Sequence, residues 1–157
     1  MKIVLLQIGK TSEKYIEEGI CNFSSRIRKY SAFEICTLPD MRNTRNMPAR
    51  EQKIKEAEKI LKFLKNDDFL VALDENGKEF STLEFSSWLE KALALSKKRV
   101  VFVIGGAWGL SDEVLQKADL RLSLSRLTFS HQVVRLLFLE QLYRVFSIIK
   151  GEPYHHE

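Results

Sequence analysis

The chain has 157 residues, 45% of them hydrophobic, which suits one domain, residues 1–157, folded around a single core. Its formal net charge of +4 is compatible with a polyanionic partner but does not demand one. The opening MKIVLLQIGKTSEKY lacks a small-residue cleavage site, and the longest apolar helix is interrupted by Arg135, Glu140 and Arg144, which excludes a membrane span there. Cys21 and Cys36 lack the paired spacing of a zinc site and are too few for a disulfide framework. The expected setting is therefore reducing and cytoplasmic, with no metal.

In chain order, Ile3 to Ile8 reads as a strand that turns at Gly9, Thr11 and Ser12 into a helix. In that helix Ile16, Ile20, Phe23, Ile27 and Tyr30 recur at steps of four and three, one apolar stripe laid on a sheet. A second strand, Phe33 to Leu38, ends at Pro39, and Asp40 to Pro48 is a polar loop carrying Arg42 and Arg45. The spacing predicts a helix from Ala49 to Lys65 with Ile54, Ala57, Leu61 and Leu64 facing inward. Phe69 to Leu73 reads as a buried strand closed by the turn residues Asp74, Glu75, Asn76 and Gly77. Ser81 and Glu84 are spaced as a capping box, flanked by Phe80 and Phe85 as a hydrophobic staple, and the helix they open turns Phe85, Trp88, Leu89 and Ala92 inward.

The second half repeats the alternation. Val100 to Ile104 is the run of a strand buried on both faces, and it ends in Gly105 and Gly106. A short strand near Leu120 to Leu124 leads through a Ser/Thr-rich loop into a helix from His131 to Lys150, apolar round most of its circumference. The order implies an α/β fold with a mostly parallel sheet and helices on both faces. The all-round apolar helix calls for a second covering surface, most simply the same helix of another copy, in a two-fold homodimer.

In open α/β sheets ligands sit beyond the carboxyl ends of the strands, which directs attention to the loops after Ile104 and Leu124. Gly105, Gly106 and Gly109 match neither a P-loop nor a dinucleotide fingerprint, so they read as points where backbone approaches a ligand that needs no phosphate cradle. Ser123, Ser125 and Thr128 lack a nucleophile elbow and read as caps. His131, at a helix start, reads first as positional, with a neutral imidazole still able to take a proton near neutral pH. The tail reads EPYHHE, and from composition alone it is a frayed end. Arg42, Arg45, Arg50, Lys53, Arg126, Arg135 and Arg144 are the basic positions able to reach phosphates.

Four blocks, KIVLLQIGK, LVALDENGK at 70–78, VFVIGGAWGLS at 101–111 and LSLSRLTFSHQVVRLLFLEQLYRVFSIIKGEPYHHE at 122–157, resemble the SPOUT class of RNA methyltransferases. Within that class they are similar to the small enzymes that methylate N3 of a pseudouridine in 23S ribosomal RNA. The resemblance implies a C-terminal trefoil knot within about residues 70–157, S-adenosylmethionine held in the knot, an obligate homodimer and 23S rRNA within the ribosome as partner. It also implies that Leu73, Gly105, Leu124, Ser125, Arg126, Leu127, Thr128 and Phe129 bind the cofactor. Ala107 and Ser130 stand where the family often has proline, and His156 where it has a basic residue. By the same resemblance the tail folds over the active site of the partner subunit, making Tyr154, His155 and His156 candidates for holding RNA or managing a proton, and Tyr154 and His155, with His131, the candidates for handling the N3 proton. A ribose 2′-O-methyltransferase of the same class and a non-catalytic RNA-binding dimer are the alternative readings.

Overall fold

A computed structural model of the chain describes residues 1–156. Its strands are β1 (Lys2–Ile8), β2 (Phe33–Leu38), β3 (Asp68–Glu79), β4 (Arg99–Ile104) and β5 (Leu120–Ser123). Its helices are α1 (Lys14–Ile27), α2 (Ala49–Phe63), α3 (Thr82–Leu93), α4 (Asp112–Lys117) and α5 (Val133–Ile149). The strands form one sheet in the order β2-β1-β4-β3-β5, and every pairing is parallel.

The period of two along each strand divides the core between the sheet's faces. Ile3 and Leu5 of β1, Val71 of β3 and Val100 and Phe102 of β4 pack with α1, α3 and α5, while Val4, Leu6, Leu70, Ala72, Val101 and Val103 pack with Ala57 and Ile60 of α2 and Val114 of α4. Both layers follow from strands apolar at every position rather than at alternate ones. The capping box at Ser81 is present in full, with Glu84 N–H donating to Ser81 Oγ at 3.2 Å and Ser81 N–H to Glu84 Oε2 at 2.7 Å.

Two expectations are corrected. β3 does not stop at Leu73: Leu122 pairs with both Leu73 and Lys78, so residues 74–77 bulge out and the strand resumes beyond them. The excursion is held by β5, through an Asp74–Arg121 ion pair at 2.6 Å and the Ser123 hydroxyl 3.0 Å from the Glu75 carbonyl. The inner face of α2 is Glu56, Ala57 and Ile60, whereas Ile54 is 46% exposed.

α5 buries Phe138, Leu139, Leu142, Val145 and Phe146 within the protomer, against α1 and α3. Leu137 on its outer side remains 38% exposed.

Candidate active site

Parallel strands place their carboxyl ends on one edge, so the segments after Leu73, Ile104 and Ser123 emerge side by side. Together with Lys53 of α2, Asp112 and Leu115 of α4, and His131 and Val134 at the start of α5, they line a cleft of about 550 Å³. That volume lies in the range of small-molecule and cofactor sites.

The β4 loop is shaped by backbone packed on backbone. Gly109 N–H donates to the Gly106 carbonyl at 3.0 Å, and a Cβ on Gly105 would fall 2.6 Å from the carbonyl carbon and oxygen of Gly109. Only glycine lets the loop fold this tightly at Gly105. The turn carries Trp108 to the lip of the cleft, 59% exposed.

The β5 loop is tied to the bulge of β3. Thr128 Oγ1 donates to Glu75 Oε2 at 2.6 Å, and Leu127 N–H donates to Ser125 Oγ at 3.0 Å. Leu124, Leu127 and Phe129 give this wall an apolar surface. The lining also holds the carboxylates Asp74, Glu75 and Asp112, of which Asp74 is neutralised by Arg121. Lys53 and Arg121 stand among these acids, so the lining sets both signs of charge beside apolar side chains.

His131 sits at the mouth of α5. Burial, and then the charge of Arg135, lower its pKa from the ordinary histidine value, an effect partly opposed by Asp40. Its imidazole is therefore neutral at neutral pH. Gln132 accepts from Ser12 N–H on Oε1 at 3.0 Å and donates its NH2 to the Lys10 carbonyl at 3.3 Å, which leaves that nitrogen 3.4 Å from His131 Nε2.

Three comparisons bear on this arrangement. The family profile described as "Predicted SPOUT methyltransferase" matches residues 1–155. The chain belongs to the SPOUT methyltransferase family. Ribosomal RNA large subunit methyltransferase H of Christiangramia forsetii is 51% identical over 156 residues, 99% of each chain, and its namesake from Parabacteroides distasonis is 48% identical over the full length of both. A methyltransferase structure from Legionella pneumophila in complex with SAM shares the fold, with a TM-score of 0.50 at 16% identity over 90% of this chain and 65% of that one.

In this SPOUT methyltransferase chain Leu73, Gly105, Leu124, Ser125, Leu127, Thr128, Phe129 and His131 all line the one cleft. Arg126 does not: its guanidinium is 87% exposed and lies 3.4 Å from Glu79. Nor do Tyr154 and His155, which pack further along α5. Tyr154 donates to Glu140 Oε1 at 3.1 Å beneath the Arg144 guanidinium, and His155 Nδ1 lies 3.2 Å from Arg144 Nη1. Glu140 lies seven residues along α5 from its first residue, Val133, about 10 Å further down the axis than the end that His131 precedes. Burial and the Glu140 hydrogen bond raise the Tyr154 pKa, so its hydroxyl is a donor rather than a base.

Arg135, expected among the phosphate-reaching cations, has no exposed surface and serves the core instead. Lys53 lines the cleft, while Arg42, Arg45 and Arg50 are exposed on the loop and α2. The sequence reading missed Trp108 and Asp112. A signal for the second existed, because Ser111 caps α4 through Val114 N–H at 3.4 Å and so aims the helix start at the glycine loop.

Proposed function

We propose that this chain transfers a methyl group from S-adenosylmethionine to N3 of a pseudouridine in the 23S rRNA of assembled ribosomes. In this reading it acts in the cytoplasm as a two-fold homodimer, one domain per chain, with the C-terminal half threaded as a trefoil knot. The observation that carries the reading is the meeting of the loops after β4 and β5 around one cleft, in a chain of this family. The rRNA substrate rests on the name borne by relatives matched end to end.

The lining fits the cofactor. Loop backbone and the side chains of Leu73, Leu124, Leu127 and Phe129 take its planar and aliphatic parts, and Glu75 and Asp112 offset its positive charge. When bound, it supplies an electrophilic methyl attached to a good leaving group. The protein's part is alignment, proton removal and exclusion of water. Trp108 and Leu127, at 59% and 72% exposed, stand at the lip where a flipped base would enter. His131 takes the N3 proton at Nε2, giving up its long contact with Gln132. Arg126, facing solvent, contacts RNA phosphate rather than cofactor. Tyr154 and His155 lie outside their own protomer's cleft, and in the homodimer they reach that of the second copy.

Calorimetric titration of the pure protein with S-adenosylmethionine, followed by mass-spectrometric mapping of the methyl on ribosomal RNA, tests the reading. Saturable binding and a methyl on the pseudouridine base are expected. No binding leaves only an RNA-binding dimer, and a methyl on ribose moves the chemistry to the sugar.

A further inference from the structure

Beneath the glycine loop lies a carboxylate that the mechanism above does not use. Glu56, on the inner face of α2, is 4% exposed, among the few charged side chains so deeply buried. Its carboxylate accepts from Gln52 Nε2 at 3.3 Å and packs directly against the Gly106 backbone. The fit is close: a Cβ on Gly106 would fall 2.6 Å from Glu56 Oε1 and 2.9 Å from Oε2. The second glycine of the loop is thus shaped to the acid below it, as the first is to Gly109.

We propose that Glu56 is a positioning residue for cofactor binding: its ionised carboxylate, clamped on Gly106, holds the β4 loop in the form that walls the cleft. An anionic acceptor binds a backbone N–H about twice as strongly as a neutral one, so charge is what the clamp needs. No stability argument explains the residue, because an ionised carboxylate buried without a bonded cation costs more than an isosteric amide. Gln52 of α2 and the Gly106 backbone of the loop lie against it, and the charges that act on it are Lys59 of α2 and Asp40 of the segment after β2. Burial pushes the Glu56 carboxyl up, against the Gln52 hydrogen bond, the Gly106 backbone and Lys59, and Asp40 adds to the rise. The clamp therefore loosens as pH falls from neutral, and cofactor affinity falls with it.

The inference rests on the cofactor reading above, and the test separates the two. Glu56→Gln keeps shape and removes charge. Its dissociation constant for S-adenosylmethionine, measured by calorimetry at neutral pH, rises about tenfold. KM for the cofactor rises with kcat little changed, the thermal midpoint stays level or increases, and the gap between variant and wild type closes as pH is lowered. His131 is the same in both proteins, and its contribution cancels in the difference. A variant with wild-type affinity at every pH overturns the clamp while leaving the cofactor reading intact, whereas a wild-type protein that binds no cofactor overturns both. In the wild type alone, the Gly106 amide resonance moves with the titration of Glu56, and a resonance indifferent to that titration also overturns the proposal.

Discussion

The Arg135 guanidinium reaches from the first turn of α5 to the end of β1, where Nη2 donates to the Ile8 carbonyl at 2.6 Å. Nη1 donates to Thr11 Oγ1 at 3.1 Å, and Nε has no hydrogen-bond partner. A fully buried cation without a bonded carboxylate is costly, and burial lowers its pKa from the ordinary arginine value. What it secures is the junction that sets the position of His131, four residues earlier.

Arg135→Met removes the charge and nearly preserves the volume. Arg135 is the second cause, after burial, of the low His131 pKa, so the variant's His131 titrates at higher pH. The acidic limb of the kcat/KM profile moves up with it, because only the neutral imidazole accepts a proton. Proton NMR of the imidazole follows the shift directly, and an unmoved titration refutes the coupling. Both variants leave the Ile8 carbonyl without this donor, but Arg135→Ala also leaves a cavity, at a cost of about 3 kcal/mol or more in chemical denaturation.

Stability has a second test at the opposite end of the sheet. Arg99 binds Asp68 with two bonds, Nε to Oδ1 at 2.7 Å and Nη2 to Oδ2 at 2.6 Å, and stacks over Phe63 at 4.8 Å. Burial pushes the Asp68 carboxyl up, but the Arg99 hydrogen bonds and the Lys65 N–H outweigh it and hold the pKa below the usual carboxylate value. A depressed carboxylate pKa contributes stability that is full above the unfolded-state value, about 3.9, and is lost as pH falls through the folded one. Asp68→Asn leaves the Arg99 charge, with 13% of its side chain exposed, without its counter-ion. The expected loss at neutral pH is about 3–5 kcal/mol, shrinking in acid. A loss that is the same at both pH values shows that packing, and not charge, joins β3 to β4.

Much of this was legible in the sequence, and the exceptions share one cause. Strands announced themselves as β-branched runs, and the capping box at Ser81 needed only local spacing. Arg135 was misread because its partner, the Ile8 carbonyl, lies 127 residues away and is a backbone group, which composition does not mark. The bulge at 74–77 looked like a strand end for the same reason: its tie to Arg121 and Ser123 exists only once β5 is paired. Helical periodicity pointed Ile54 inward, but the buried face of α2 runs through Glu56, Ala57 and Ile60.

The outer side of α5 carries the last prediction. Val133 and Val134 are half-buried, Leu137 is 38% exposed, and Val134 also lines the cleft, so this apolar patch runs on from the site itself. In the proposed homodimer a second copy seated there would cover the patch and bring its own Tyr154 and His155 to a cleft that the same residues of the first copy do not line. Leu137→Glu puts a charge into such an interface, at the cost of an unpaired buried carboxylate on each side of the two-fold axis. Sedimentation is expected to show a wild-type dimer and a variant monomer with unchanged far-UV circular dichroism. Methyl transfer falls more than tenfold, since each barrier increment of about 1.4 kcal/mol is a factor of ten and a missing tail removes several contacts. A monomeric wild type, or a variant monomer with full activity, means that each chain completes its own site, and the functions assigned to Tyr154 and His155 then fall away.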